Sequence, residues 1–248
     1  MKVFAHRGAS GDYPENTILS FEKALTLPID GIELDVHKSK DGKLIVIHDE
    51  DVQRTFKGKG LVKDYTLEEL QNFKCRKFEF IDNDLCKVPT LEDVFELIKD
   101  KNITLNIEAK TDQIHYDLEQ DVLNLVDKYN LRNNVLISSF NHKCLNIFKN
   151  IDSDYKYGAL YEYEKDYAPE KNVVDHAKKL NVYSINISKE LVTKEMVNLA
   201  HKNNLKVYVY TINSPSQMRK MINCGVDAVF SDYPELMLEI LDEEKHQI

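Results

Sequence analysis

His6, Arg7 and Gly8 follow directly on a strand-like run, Val3 to Ala5. An imidazole beside a guanidinium is a costly way to end a strand, and it points to a site. Gly8 would let the backbone turn sharply beside a bound phosphate. Glu33 and Asp35 stand two apart in the run Gly31–Val36, so their side chains share one face. Ile32, Leu34 and Val36 flank them, the pattern of a strand buried on both faces. Two buried carboxylates repel unless a cation lies between them. Hard oxygen ligands suit Mg²⁺ or Ca²⁺ rather than zinc. The plainer alternative is a surface hairpin with solvated acids.

The dipeptide Asp41-Gly42 predicts a tight hairpin. Centred there, the turn sets Lys40 opposite Lys43, Val36 opposite Ile47 and Asp35 opposite His48. Directly opposed residues have Cβ atoms about 5 Å apart, so His48 is predicted to lie beside the Glu33/Asp35 pair. A slip of one residue would turn it to the other face. Glu108 and Lys110 repeat the two-residue spacing at the end of Ile103–Glu108. Glu108 is a candidate third carboxylate ligand and Lys110 a fixed positive charge, although the two by themselves also read as a structural ion pair. Imidazole titrates near neutrality, so His6 and His48 can serve as base and acid. Arg7 and Lys110 can hold a phosphate, the arginine through its fork. A divalent cation, two imidazoles and two cationic side chains together indicate phosphoryl transfer or phosphodiester cleavage. The other six histidines, His37 and His142 among them, read as structural.

These residues must be carried to one place by the elements between them. Eight strand candidates recur: Val3–Ala5, Gly31–Val36, Ile103–Glu108, Val135–Phe140, Tyr157–Leu160, Val182–Ile187, Leu205–Thr211 and Ala228–Ser231. Helical periodicity lies between most of them, clearest over Thr17–Leu27, Leu91–Ile98, Tyr116–Tyr129 and Thr193–His201. Thr90 with Asp93 and Thr193 with Met196 mark helix starts. The alternation predicts parallel strands joined by right-handed crossovers. The fold class is therefore α/β, a (β/α)8 TIM barrel in which every strand's C-terminal end reaches the same rim. No G-x-G-x-x-G follows any strand, which lowers the dinucleotide-binding alternative. Residues 1–248 read as one domain. An insertion at about 49–89, between the second and third barrel strands, holds one short helix at most and too few apolar residues for its own core.

At 248 residues the chain matches the roughly 250 of such a barrel. A net charge of −9 argues against a nucleic-acid partner, which would require a basic footprint. No apolar run approaches the ~20 residues that span a bilayer, and strand one begins too early for a signal peptide. Cys75, Cys86, Cys144 and Cys224 form no C-x-x-C pair and read as free thiols. The expectation is a cytoplasmic protein without stable membrane insertion.

The segments HRGASGDYPENT, GIELDVHKSKDGKLIVIHD, VPTLEDV, LNIEAK, SSFN, YTIN and GVDAVFSDYPE, in that order, resemble the glycerophosphodiester phosphodiesterases. The likeness runs from residue 3 to about 236. It implies a TIM barrel with an insertion after the His-Asp segment, and metal-dependent hydrolysis of small glycerophosphodiesters to glycerol 3-phosphate and an alcohol. Carried over by position, His6 and His48 would be the acid/base pair, and Glu33, Asp35 and Glu108 would hold Ca²⁺ or Mg²⁺. Arg7 and Lys110 would clamp the phosphate, while Glu15 and Asn16 would brace the first loop. Tyr210 stands where the family often carries Trp, and with Phe140 it would wall the glycerol or leaving-group side. Rivals are a lysophospholipase D or sphingomyelinase-D-like enzyme, which needs a greasy entrance, and a non-catalytic barrel that binds glycerophosphodiesters. The insertion offers only scattered apolar residues, Phe56, Phe73, Phe78, Phe80, Ile81 and Leu85, for such an entrance.

Overall fold

Eight parallel strands close on themselves in a computed structural model that describes residues 1–246. They are β1 (Lys2–His6), β2 (Gly31–Lys38), β4 (Thr104–Ala109), β5 (Val135–Ser139), β6 (Lys156–Tyr161), β7 (Ser184–Ser188), β8 (Lys206–Tyr210) and β9 (Ala228–Ser231). β1 pairs with both β2 and β9, which completes the barrel. The remaining strand, β3 (Leu44–Val46), lies antiparallel against β2 outside the closed ring. All eight strands overlap the runs predicted from the sequence, with ends shifted by one or two residues in all but β9.

The helices are α1 (Ile18–Leu25), α2 (Leu67–Gln71), α3 (Leu91–Ile98), α4 (Glu119–Lys128), α5 (His142–Ile151), α6 (Val173–Leu180), α7 (Lys194–Lys202), α8 (Pro215–Cys224) and α9 (Pro234–His246). Their starts follow from local chemistry. Thr90 accepts from the Asp93 amide while Asp93 accepts from the Thr90 amide, so two orphan donors at the head of α3 are satisfied at once. Thr193 accepts from the Met196 amide at the head of α7. The apolar stripes of these helices and the outward strand residues form one buried shell, from Val3 and Leu34 through Ile107 and Ile185 to Ile240.

Inside the barrel the strands fill the lower half with aromatic rings. Phe4 packs edge-on to Phe230 at 5.4 Å and tilted on Tyr208 at 5.7 Å. A buried polar layer lies above them. Asn106 donates to Ser138 at 2.9 Å and Ser184 donates to Asn186 at 2.7 Å. Because side chains alternate along a strand, the next inward positions stand at the C-terminal rim.

The hairpin departs from the predicted register. Val36 pairs with Val46, His37 with Ile45 and Lys38 with Leu44, one residue short of the expected pairing. Ser39 explains the difference. Its amide donates to the Lys43 carbonyl at 2.9 Å, its hydroxyl donates to Asp41 at 2.6 Å, and its oxygen accepts from the Lys43 amide at 2.9 Å. The loop is therefore three residues, Lys40–Gly42, with Gly42 at φ +77°, instead of a two-residue turn. In this register His48 does not oppose Asp35.

Residues 49–89 also differ in one respect from expectation. Val52, Phe56, Val62, Leu70 and Val88 join Ile45 and Ile47 in a small buried cluster. The hairpin supplies the apolar side chains that the insertion itself lacks, so this segment packs on the inner face of β3.

Candidate active site

The alternation inside the barrel delivers side chains to one rim. Phe4 is followed by His6, Asn106 by Glu108 and Lys110, Ser138 by Phe140, and Phe230 by Asp232. On β2 the inward row is Glu33, Asp35 and His37. The resulting cavity is about 650 Å³, with His6, Arg7, Glu33, His48, Glu108 and Lys110 in its wall.

Glu33, Asp35 and Glu108 are buried, and each offers a carboxylate oxygen within 4.8 Å of the others. Burial, and then the Asp35 and Glu108 charges, push the Glu33 carboxyl well above the usual range. Burial opposes ionisation of Asp35 too, but Arg7, followed by His48 and Lys110, holds it well below the ordinary value. Asn16 donates to Asp35 Oδ2 at 2.8 Å, yet Asp35 Oδ1 and Asn16 Oδ1 have no hydrogen-bond partner although both are buried. A cluster of buried oxygens, two of them unpartnered and one carboxyl driven toward protonation, fits a hard divalent cation. Among the described residues, His115, Asp117 and Glu119 form the other group with ligand-like spacing. It lies before and at the head of α4, where His115 and the exposed Asp117 carboxylate pair with each other at 2.9 Å.

Both imidazoles are held in the same way. His6 Nδ1 lies 2.6 Å from Asp232 Oδ1, and its Nε2 faces Glu33 Oε2 at 3.8 Å. His48 Nδ1 lies 2.6 Å from Asp49 Oδ1, and its Nε2 meets Lys110 Nζ at 3.4 Å. A carboxylate can only accept, so each Nδ1 carries a proton and each Nε2 is the nitrogen left to face the cavity. His48 gets there by a bend. The ladder ends with the Ile47 amide on the Asp35 carbonyl at 3.1 Å, and the chain then turns over His48–Glu50 toward the barrel mouth. The expected neighbourhood is reached without the expected register.

The charges form a continuous chain. Arg7 Nη1 donates to Glu15 at 3.0 Å and Arg7 Nε lies 3.2 Å from Asp35. Glu15 in turn takes both ends of the Arg54 fork at 2.6 and 2.8 Å, and Arg54 Nε donates to Asp49 at 2.6 Å. Thus Arg7 and His48 are linked through Glu15, Arg54 and Asp49. Lys110 donates to Glu108 at 2.9 Å and sits 5.8 Å from the centre of the Phe140 ring. Phe140 and Tyr210 meet edge-to-face at 6.1 Å on the same wall, and the Tyr210 hydroxyl donates to the Tyr161 carbonyl at 2.8 Å. Gly8 has φ +83°, and a Cβ there would fall 2.4 Å from the Ser20 hydroxyl. Close packing on α1, in addition to the turn, excludes a side chain at that position.

Asp232, Asp49 and Arg54 are absent from the sequence-derived set. Asp232 also accepts from Ser10 at 3.1 Å and Asn213 at 2.6 Å. Burial works against its ionisation, but the His6 contact and these hydrogen bonds bring it down to about 2. The signal for it was present: Asp232 continues the inward alternation of Ala228 and Phe230, as Lys110 continues Asn106 and Glu108. If Asp232 fixes the His6 tautomer, Asp232→Asn is expected to lower kcat about 10- to 100-fold, no more than the lower end of the ~10²–10⁴ that acid–base help is worth, since the imidazole itself remains. Steady-state kinetics on the purified variant checks this, and wild-type kcat would contradict it.

The profile of the glycerophosphoryl diester phosphodiesterase family matches residues 6–236. A glycerophosphodiester phosphodiesterase of Caldanaerobacter subterraneus subsp. tengcongensis is 39% identical over 246 residues, covering 96% of this chain and 97% of its own. One of Bacillus altitudinis is 37% identical, covering 98% of this chain and 99% of its own. Among solved structures, a phosphodiesterase of Oleispira antarctica in complex with the product sn-glycerol-3-phosphate superposes with a TM-score of 0.84 at 29% identity. That match covers 98% of this chain and 97% of the other.

Proposed function

Since this chain belongs to the glycerophosphoryl diester phosphodiesterase family, we propose that it hydrolyses glycerophosphodiesters to glycerol 3-phosphate and an alcohol. One observation carries the proposal: two aspartate-held imidazoles turn their Nε2 atoms into a cavity beside three buried carboxylates. In this reading His6 and His48 are the acid/base pair, and Glu33, Asp35 and Glu108 hold Ca²⁺ or Mg²⁺.

When bound, the cation would withdraw charge from the phosphate and neutralise the carboxylate trio. The rest is done by the chain. Arg7 and Lys110 remain cationic, because Asp35, Glu15 and Glu108 outweigh the effect of burial, so both can receive the anionic diester. One histidine takes a proton at Nε2 from the nucleophile, which is water or else the glycerol 2-hydroxyl, the latter giving a cyclic phosphate that water then opens. The other gives a proton to the departing alkoxide. Asp232 and Asp49 keep each ring in the tautomer this exchange requires. Phe140 and Tyr210 form an aromatic wall for the glycerol or leaving-group side.

The proposal takes residues 1–248 as one catalytic domain with residues 49–89 inserted in it. Among the described residues no helix is long and apolar enough to cross a membrane. The four cysteines are free, which suits the cytoplasmic location included in this reading. Competing glycerophosphocholine against lysophosphatidylcholine tests substrate class. Preferential turnover of glycerophosphocholine is expected, and preference for the lysolipid would favour a lysophospholipase D instead.

A further inference from the structure

His37 is fully buried on β2, the third member of the inward row after Glu33 and Asp35, and no role in the reaction follows from its type or spacing. Its ring nevertheless makes two directed contacts. Nε2 lies 2.9 Å from the His48 backbone carbonyl, and Nδ1 lies 3.0 Å from the Tyr116 hydroxyl. A carbonyl only accepts, so Nε2 carries the proton and Nδ1 receives the tyrosine O–H. The Tyr116 ring stands edge-on to the imidazole at 5.4 Å and 89°, which fixes its plane.

This matters because of the hairpin register. The paired strand ends at Val46 with one further ladder bond from the Ile47 amide, and a straight continuation would turn position 48 to the face opposite Asp35. The bend after Ile47 reverses that, and a bend places a backbone carbonyl where no neighbouring strand can satisfy it. The His37 N–H meets that carbonyl. Asp49 fixes the His48 ring at Nδ1, and His37 fixes the backbone that carries the ring. Tyr116 lies on the segment following Lys110, whose ammonium faces His48 Nε2, so the contact also ties the two sides of the cavity together.

We propose that His37, oriented by Tyr116, is a positioning residue that sets the reacting placement of His48. The inference rests on the reading of His48 as one of the acid/base pair. His37→Leu removes the donor and His37→Gln retains an N–H at similar reach. A misplacement of the order of 1 Å can cost up to about 100-fold in rate, so His37→Leu is expected to lower kcat about tenfold or more, with KM within about twofold. His37→Gln is expected to recover most of the loss. Wild-type kcat in folded His37→Leu overturns the proposal, and so does His37→Gln falling as far as His37→Leu, since then only the fill of the core matters. Tyr116→Phe deletes one hydroxyl and tests the same contact should His37→Leu not fold. Its kcat is expected to fall about threefold by the same displacement argument, and an unchanged value overturns the proposal. A His48→Ala control separates the two levels. If His48→Ala turns over normally, the acid/base reading itself fails. If it is inactive while His37→Leu is normal, only the positioning role fails.

Discussion

Alanine at His48, or at His6, is expected to abolish turnover while leaving the fold in place. Each imidazole has one nitrogen committed to an aspartate and the other open to the cavity. Neither ring belongs to the buried apolar shell, and both side chains are partly exposed, 14% for His6 and 31% for His48. Truncation therefore opens no sealed cavity, and the melting temperature should move little. The chemistry has no substitute: Lys110 and Arg7 remain protonated and can act neither as base nor as ready acid. Loss of one partner removes the ~10²–10⁴ of acid–base help for its step. Kinetics and thermal melts on the two variants check this together. Near-wild-type kcat in either would remove that histidine from the mechanism.

Removing divalent cations is expected to have a comparable effect, reversible on adding Ca²⁺ or Mg²⁺. Without a cation, Arg7 and Lys110 are the fixed positive charges beside three buried carboxylates, and Glu33 is driven toward its protonated form. A cation must displace that proton, so its affinity should rise with pH through the Glu33 titration and fall as the carboxyl protonates. Glu33→Gln removes one anionic ligand and should weaken cation binding measured by calorimetry. Full activity after exhaustive EDTA treatment, with no cation bound, would eliminate this role.

The barrel was legible because eight β-branched runs alternate with helical periodicity on both sides of the one insertion. Glu33, Asp35, Glu108 and Lys110 followed from the same alternation. The hairpin shows where that logic stops. Asp41-Gly42 signals a turn, but the Ser39 hydroxyl decides its length, and a side-chain hydrogen bond of this kind leaves no periodic trace. His48 reached the cavity because a bend and the His37 contact override the ladder. Arg54 could not have been found by spacing, since it meets Glu15 from an irregular loop 39 residues away. Asp232 could have been found, because it continues the alternation of the predicted strand Ala228–Ser231.

In the proposed reaction this site breaks the phosphate ester on the side of the alcohol and keeps the phosphate on glycerol. Phosphorus-31 NMR of the purified protein with glycerophosphocholine, in the presence of Ca²⁺ or Mg²⁺, measures this directly. The diester signal is expected to be replaced by that of glycerol 3-phosphate, with choline released. Appearance of phosphocholine, or an unchanged diester with either cation, would contradict it.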